Sequence, residues 1–294
     1  MPDERAALPA LEAFQLAVRD GRRFAVLRAP AGPARGALVY VHPFAEEMNK
    51  SRRMAALGAR ALVADGWAVL ALDLAGCGDS EGDFADATWQ GWVDDVAVAA
   101  TWLASHAGHA PWLWGLRAGC LVAVEAAQRL ASVAGLLLWQ PVVSGSQHLR
   151  QFLRLRVAAD ALATNPLLPD EGSAPPRRRD DTAAFVEQLR AGSTIEVAGY
   201  TLAPALASGL DAAKLEPVRG AMPVVWLEVG GSDPATAALS PASARAIEGW
   251  RSGGHAVDAQ AVAGPSFWQT QEIEECPSLV AATVTALAAH AARS

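Results

Sequence analysis

The chain has 294 residues, of which 52% are hydrophobic, and a formal net charge of −7. That length suits one α/β domain with an insertion, and the acidic balance argues against a nucleic-acid or anionic-membrane surface. The 3 cysteines cannot pair completely and match no metal-ligand spacing, and no apolar run approaches the ~18 residues of a membrane span. The first residues also lack the basic start and apolar core of a secretory signal. We therefore expect a cytoplasmic protein without a metal or cofactor.

Short apolar runs alternate with longer segments of helical spacing, which is typical of a mostly parallel sheet covered by helices on both faces. The predicted strands are Phe14–Val18, Arg23–Arg28, Ala37–His42, Ala68–Asp73, Trp112–Gly115, Gly135–Gln140, Val224–Val229 and Val257–Val262. The last six are near-continuous apolar runs, as in strands buried on both faces, and the first two could form an antiparallel hairpin. The predicted helices are Ser51–Asp65, Thr88–His106, Ala118–Ser132, Pro241–Arg251 and Ser278–Ala292.

The stretch from about residue 145 to residue 218 interrupts this alternation. It is long, contains several prolines and lies between two predicted strands. Insertions of this kind tolerate length and often cover a site. We therefore predict a single domain over residues 1–294, with a helical cap inserted at about 145–218.

Two loops follow predicted strands in an order that is typical of α/β-hydrolases. The third strand ends in His42-Pro-Phe44, where such folds supply one amide of the oxyanion hole, and Phe44 would be the donor because Pro43 has no N–H. The fourth strand leads into the glycine-rich loop 73–82, in which no lysine follows as a P-loop requires. A structural turn and a phosphate cradle are the respective alternatives.

The segment Trp112–Gly119 runs from a strand into a helix, with small residues on both sides of its centre. This pattern predicts a nucleophile elbow, a tight and strained turn that normally presents a serine, cysteine or aspartate. Arg117 stands at the centre instead, and a guanidinium is not a nucleophile. The alternative is an ordinary strand-to-helix turn that contains an arginine.

The other members of a catalytic triad can be sought by position. Asp233 follows the strand Val224–Val229, where the acid is expected, although an aspartate in a glycine turn is often structural. The base should follow the last strand, but no histidine occurs between His255 and His290. His255 precedes that strand and His290 lies in the terminal helix. Nucleophile and base are therefore both predicted to be missing.

The chain resembles the exosortase A system-associated hydrolase 2 family over most of its length. The most specific matching segments are HPFAEEMNKSRRM at 42–54, WGLRAG at 114–119, LWQPV at 138–142 and GPSFW at 264–268. The resemblance implies an α/β-hydrolase fold and a role connected with bacterial exopolysaccharide and exosortase systems. The family name also implies hydrolysis.

Two functional hypotheses follow. In the first, Arg117 at the start of a helix binds an anionic small molecule or partner. In the second, Glu46 or Glu47 acts as a general base on water while Arg117 stabilises negative charge. A simpler alternative is that one of these glutamates only neutralises Arg117. The predicted ligand-binding residues are His42, Phe44, Glu46, Glu47, Arg117, Ala118, Gln140, Asp233 and Trp268.

Overall fold

A computed structural model describes residues 10–163 and 181–291. Its main sheet has eight strands in the order β1-β2-β4-β3-β5-β6-β9-β10. These strands are β1 (Ala10–Val18), β2 (Gly21–Ala29), β3 (Gly36–Val41), β4 (Trp67–Leu72), β5 (Trp112–Leu116), β6 (Gly135–Trp139), β9 (Pro223–Val229) and β10 (Ala256–Val262). β2 pairs antiparallel with β1 and with β4, and the remaining pairs are parallel. The predicted mostly parallel eight-stranded sheet is confirmed.

Helices cover both faces of the sheet. In the described ranges they are α1 (Glu46–Ala64), α2 (Trp89–Ala107), α3 (Gly119–Ala127), α4 (Gly145–Ala163), α5 (Asp181–Arg190), α6 (Pro204–Ala212), α7 (Pro241–Ser252) and α8 (Pro277–Ala291). None of them has the length and the apolar character required to cross a bilayer.

The side chains of the buried strands point alternately to the two faces of the sheet, so the hydrophobic core of the described residues consists of two clusters. Val39 and Val41 of β3 belong to the cluster that includes α2 and α3, whereas Leu38 and Tyr40 belong to the cluster that includes α1 and α8. Successive side chains of a strand point to opposite faces, so a strand covered on both faces must be apolar at every position. This requirement explains the continuous apolar runs in the sequence.

Helix α1 begins at Glu46, five residues before the predicted start at Ser51. Its first turn carries Glu46 and Glu47, whose negative charge is favourable near the positive end of the helix dipole. Both glutamates therefore lie on a helix and not in the preceding loop. Helix α3 ends at Ala127 and not at Ser132, because the chain turns after Gln128.

Helix α2 begins where its capping residue predicts. The Thr88 side chain accepts a hydrogen bond of 2.9 Å from the Gly91 amide, which satisfies one of the free N–H groups of the first turn.

The segment between β6 and β9 contains α4, α5, a hairpin of β7 (Ile195–Val197) and β8 (Tyr200–Leu202), and α6. Helix α4 packs against α5 and α6. The two strands of the hairpin have three residues each, too few to show a period in the sequence. Residues 164–180 of the predicted insertion lie outside the described part of the chain.

Candidate functional site

The turn between β5 and α3 holds Arg117 in a left-handed backbone conformation, with φ of 55°. Such a conformation costs a residue other than glycine ~1–3 kcal/mol and persists only where the surroundings enforce it. The surroundings here are tight, because a Cβ atom at Gly115 would lie 2.5 Å from Cys120 Cα and one at Gly119 would lie 2.5 Å from the His42 carbonyl oxygen. The backbone is that of a nucleophile elbow with an arginine at its centre.

The Arg117 side chain turns inward and the residue is 9% exposed. Its Nε and Nη2 atoms both lie 3.2 Å from one oxygen of Glu47, Oε1. Its guanidinium carbon lies over the Trp268 ring, 5.3 Å from the centroid, at a distance that suits a cation–π interaction. The elbow, the first turn of α1 and the loop after β10 thus meet at one buried charge.

The second oxygen of Glu47, Oε2, is buried without a hydrogen-bond partner in the described structure. The nearest ionisable group is His148 of α4, whose Nε2 lies 4.0 Å away. His148 Nδ1, Trp268 Nε1 and Glu46 Oε2 are also buried without described partners. Buried polar atoms are nearly always satisfied, so these four atoms around one charge are available to further hydrogen-bond partners.

Burial controls the ionisation of this cluster. It raises the pKa of Glu47 to about 7, although the Arg117 charge opposes the shift. Burial, assisted by repulsion from Arg117, lowers the pKa of His148 to about 3. Burial also raises the pKa of Glu46. At neutral pH His148 is therefore uncharged, and burial shifts the ionisation of Glu47 towards neutral pH.

A cavity of ≈ 160 Å³ adjoins these groups. Its lining is aromatic and polar, and it comprises Phe44, Glu46, Glu47, Lys50, His148, Gln151, Phe152, Leu155, Trp268 and Gln269. Phe44 forms edge-to-face contacts with His148 and Phe152, at centroid distances of 6.0 and 5.1 Å. Four of the predicted ligand-binding residues, Phe44, Glu46, Glu47 and Trp268, thus line one cavity, and two of these contact Arg117.

The other predicted site residues lie elsewhere or are already engaged. Both ring nitrogens of His42 have backbone partners, because Nδ1 lies 2.8 Å from the Pro43 carbonyl and Nε2 accepts from the Leu74 amide. Gln140 joins β6 to β9, since its Oε1 accepts from the Val229 amide at 2.7 Å. Asp233 is exposed, and its carboxylate accepts from the Ala235 amide within its own turn. Ala118 is buried at the start of α3.

The two histidines that the sequence excludes as bases lie at the amino ends of the strands, whereas the elbow lies at the carboxyl ends. His255 precedes β10 and lies 3.1 Å from the Val218 carbonyl, and His290 packs against Trp112 at the start of β5. Neither residue is near the elbow, which follows the carboxyl end of β5.

The structure adds residues that the sequence analysis missed. His148, Gln151, Phe152 and Leu155 all come from α4. Their spacing of three, four and seven residues places them on one face of a helix. That period was the available signal, but nothing local showed that this face lies over the elbow.

A mostly parallel eight-stranded sheet with a strained turn after β5 and an insertion after β6 defines a protein of the α/β-hydrolase class. The chain belongs to the serine aminopeptidase S33 family, whose family model matches residues 32–214. None of the curated proteins compared with the chain matches it.

Several solved structures share the fold. Est1E from Butyrivibrio proteoclasticus with bound ferulic acid is 16% identical with a TM-score of 0.67, over 96% of this chain and 100% of that one. A carboxyl esterase from Bacillus coagulans in complex with glycerol is 14% identical with a TM-score of 0.59, over 96% and 99% of the two chains. Proline iminopeptidase from Mycobacterium smegmatis is 17% identical with a TM-score of 0.56, over 96% and 99%. These similarities confirm the predicted α/β-hydrolase fold.

Proposed function

We propose that this α/β-hydrolase-fold protein does not use Ser-His-Asp catalysis, and that it binds a small anionic molecule or an anionic segment of a partner at Arg117. The observation that carries the proposal is the placement of Arg117, which sits at the strained centre of the elbow with its charge turned inward beside a cavity. A glycine would relieve the backbone strain, so an arginine there supports a use for the side chain.

The charge balance supports an anion site. Glu47 meets Arg117 through a single oxygen, in contrast to the two parallel hydrogen bonds of a bidentate carboxylate. Trp268 supplies only a ring face. A carboxylate on a ligand would complete the hydrogen bonding of the guanidinium in a way that these two neighbours do not.

The remaining triad positions support the loss of serine chemistry. The loop after β10, where the base would stand, places Trp268 against the guanidinium. The position of the acid is held by Asp233 in an exposed turn. A nucleophile and its base must lie within hydrogen-bond reach of each other, and Arg117 offers neither role.

For the biological setting, we propose a cytoplasmic role in bacterial exopolysaccharide and exosortase systems. The support is the resemblance noted above, whose segments 42–54, 114–119 and 264–268 contain Arg117 and the two residues that it contacts, Glu47 and Trp268. The three cysteines are free and buried, which agrees with a reducing compartment.

A second candidate function is hydrolysis with Glu47 as general base, favoured by its pKa of about 7. Ionised Glu47 would take a proton from water, the hydroxide would add to a carbonyl carbon, and Arg117 would stabilise the resulting oxyanion. Collapse of the adduct would then return the proton from Glu47 to the leaving group.

Benzoate is a suitable probe for the anion site, because a cavity of about 150 Å³ accepts a benzene ring and the walls here are aromatic. We expect calorimetric titration at pH ~6 to show binding that Arg117→Ala weakens by ~1.5–3 kcal/mol, the value of a charged hydrogen bond. Arg129→Ala is the matched control, since that arginine forms ion pairs at the surface, and benzyl alcohol is the neutral control. Equal affinity in the wild type and Arg117→Ala would reject the site.

Assays of probe labelling and ester turnover separate the two candidate functions. The binding function predicts no labelling by fluorophosphonate probes and no ester turnover above the buffer rate. Turnover that Glu47→Gln abolishes and Glu46→Gln retains would instead establish the hydrolase.

A further inference from the structure

The contact between Glu47 and Arg117 is incomplete on the carboxylate side. Oε1 lies 3.2 Å from two of the three guanidinium nitrogens, Nε and Nη2, while Oε2 has no hydrogen-bond partner among the described residues. His148 Nε2 lies 4.0 Å from Oε2, beyond hydrogen-bond distance. The Glu47 carboxyl is therefore held by one oxygen and has an unused partner on its other side.

The cavity explains why Glu47 would have to move. Among the described residues its lining includes Glu47 and Trp268, the two side chains that Arg117 contacts, but not Arg117 itself. A molecule that enters the cavity meets Glu47 before it meets the guanidinium. An anion that approaches the guanidinium through this cavity must therefore displace the Glu47 carboxyl.

We propose that a small carboxylate with an apolar or aromatic body reaches Arg117 by displacing the Glu47 carboxyl towards His148, and that this displacement takes up one proton. The proposal rests on the anion site described under Proposed function, and it adds the class of ligand and a coupling to pH. The ligand body would lie against Phe44, Phe152 and Leu155.

The titratable groups that face Glu47 are Arg117 from the elbow, Glu46 and Lys50 from α1, and neutral His148 from α4. Arg117 and Lys50 favour the ionised carboxylate, whereas Glu46 favours the protonated form. With the ligand on Arg117, an ionised Glu47 would be a second buried anion beside the same cation, and a like charge disfavours ionisation. Burial already raises the pKa of Glu47 to about 7 without a ligand, so a further negative charge nearby favours the protonated form.

His148 acts here as a positioning residue. Its low pKa, about 3, keeps the imidazole neutral, so that one ring nitrogen carries a lone pair. When Nδ1 carries the hydrogen, Nε2 accepts a hydrogen bond from the protonated Glu47 carboxyl. A displaced Glu47 thus gains the partner that its Oε2 lacks in the free protein.

The test is a calorimetric titration with sodium benzoate between pH ~6 and pH ~9, in two buffers with different heats of ionisation, since benzoate stays ionised over this range. We expect the benzoate affinity to be constant below the pKa of Glu47 and to fall about tenfold per pH unit above it. Above that pKa, binding should take up close to one proton. Glu47→Gln, which cannot ionise, should bind benzoate about tenfold more tightly than the wild type at pH 8, with no proton uptake.

A second pair of variants tests His148. His148→Leu removes the partner of the displaced carboxyl and should weaken benzoate binding about fivefold at pH ~6. His148→Gln keeps a hydrogen-bond acceptor and should restore most of the affinity. In a Glu47→Gln background we expect the same loss of benzoate affinity in His148→Leu and the same recovery in His148→Gln. The reason is that the amide N–H of the new glutamine can also donate a hydrogen bond to residue 148.

The outcomes separate this inference from the anion site. Binding that needs Arg117 but shows no proton uptake and no gain in Glu47→Gln would overturn the displacement and leave the site intact. Absence of benzoate binding in both the wild type and Glu47→Gln would reject the site and the coupling together.

Discussion

Two buried arginine–carboxylate pairs occur within residues 10–163 and 181–291, and they are built differently. In the first, Arg23 of β2 donates through Nε to Asp95 of α2 at 2.7 Å, and its Nη1 lies 3.2 Å from the Arg22 carbonyl. The same Asp95 oxygen also accepts from the Ala75 amide. In the second, Arg117 and Glu47 meet at 3.2 Å, and Glu47 Oε2 has no described partner.

The Arg23–Asp95 pair, called here the closed pair, stabilises the fold, whereas the Arg117–Glu47 pair, called here the open pair, is the one that we propose as part of a binding site. Burial raises the pKa of both carboxyls, but at Asp95 hydrogen bonds from Arg23 and from the Ala75 amide counter this effect. At Glu47 the groups that oppose the effect of burial are Arg117 and, to a smaller extent, Lys50, with no backbone amide among them. A buried ion pair repays its desolvation only when its remaining hydrogen bonds are made, so the Arg23 pair is stable as it stands and the Arg117 pair is open to exchange.

The largest expected effect belongs to the closed pair. Asp95→Ala leaves the guanidinium of Arg23 buried, and that group cannot lose its charge. We expect a loss of ~3–5 kcal/mol in the free energy of unfolding, measured by urea denaturation. Asp94→Asn is the control, because Asp94 forms an ion pair at the surface with Arg129. A loss for Asp95→Ala no larger than that of the control would remove the distinction between the two pairs.

The open pair should show its character in the pH dependence of stability. The Glu47 carboxyl binds its proton more tightly in the folded protein than in the unfolded chain. Its ionisation therefore lowers the free energy of unfolding as the pH rises from about 4.5 to about 7. Glu47→Gln avoids that loss. We expect it to equal the wild type near pH ~5 and to exceed it by ~3 kcal/mol at pH ~8 in urea denaturation.

Glu248→Gln provides the control for this measurement, since Glu248 is exposed and paired with Arg251 on α7. Its difference from the wild type should not vary with pH over the same interval. A Glu47→Gln protein that is less stable than the wild type at pH ~8 would mean that the carboxylate is a net stabiliser, like Asp95.

The smallest effect concerns the backbone beneath the open pair. Arg117→Gly and Arg117→Ala remove the same charge, but only glycine adopts φ of 55° without strain. We expect the glycine variant to be more stable than the alanine variant by ~1 kcal/mol in urea denaturation at pH ~6. At Arg23, in the middle of a strand, the same comparison should favour alanine. The absence of a reversal between the two positions would argue against strain at the elbow.

The sequence predicts the sheet well because each strand needs apolar residues on both faces, and the elbow because Gly115 and Gly119 admit no larger side chain. The contacts of the site depend on longer-range packing. The start of α1 at Glu46 decides that Glu47 meets Arg117, and the pattern placed that start at Ser51. His148 comes from the insertion, whose position over the sheet no local period encodes. Gln140 was expected at the ligand but bonds the neighbouring strand, because the Val229 amide needs an acceptor.

The close approach of Gly119 to the end of β3 has an evolutionary consequence. The glycines on either side of position 117 set the backbone there, and the identity of the residue between them does not. A single substitution at that position can replace a nucleophile with a cation while the sheet, the helices and the cavity stay in place. A lineage built on this scaffold can therefore change the chemistry of the elbow in one step, and natural selection can act on the new side chain without rebuilding the fold.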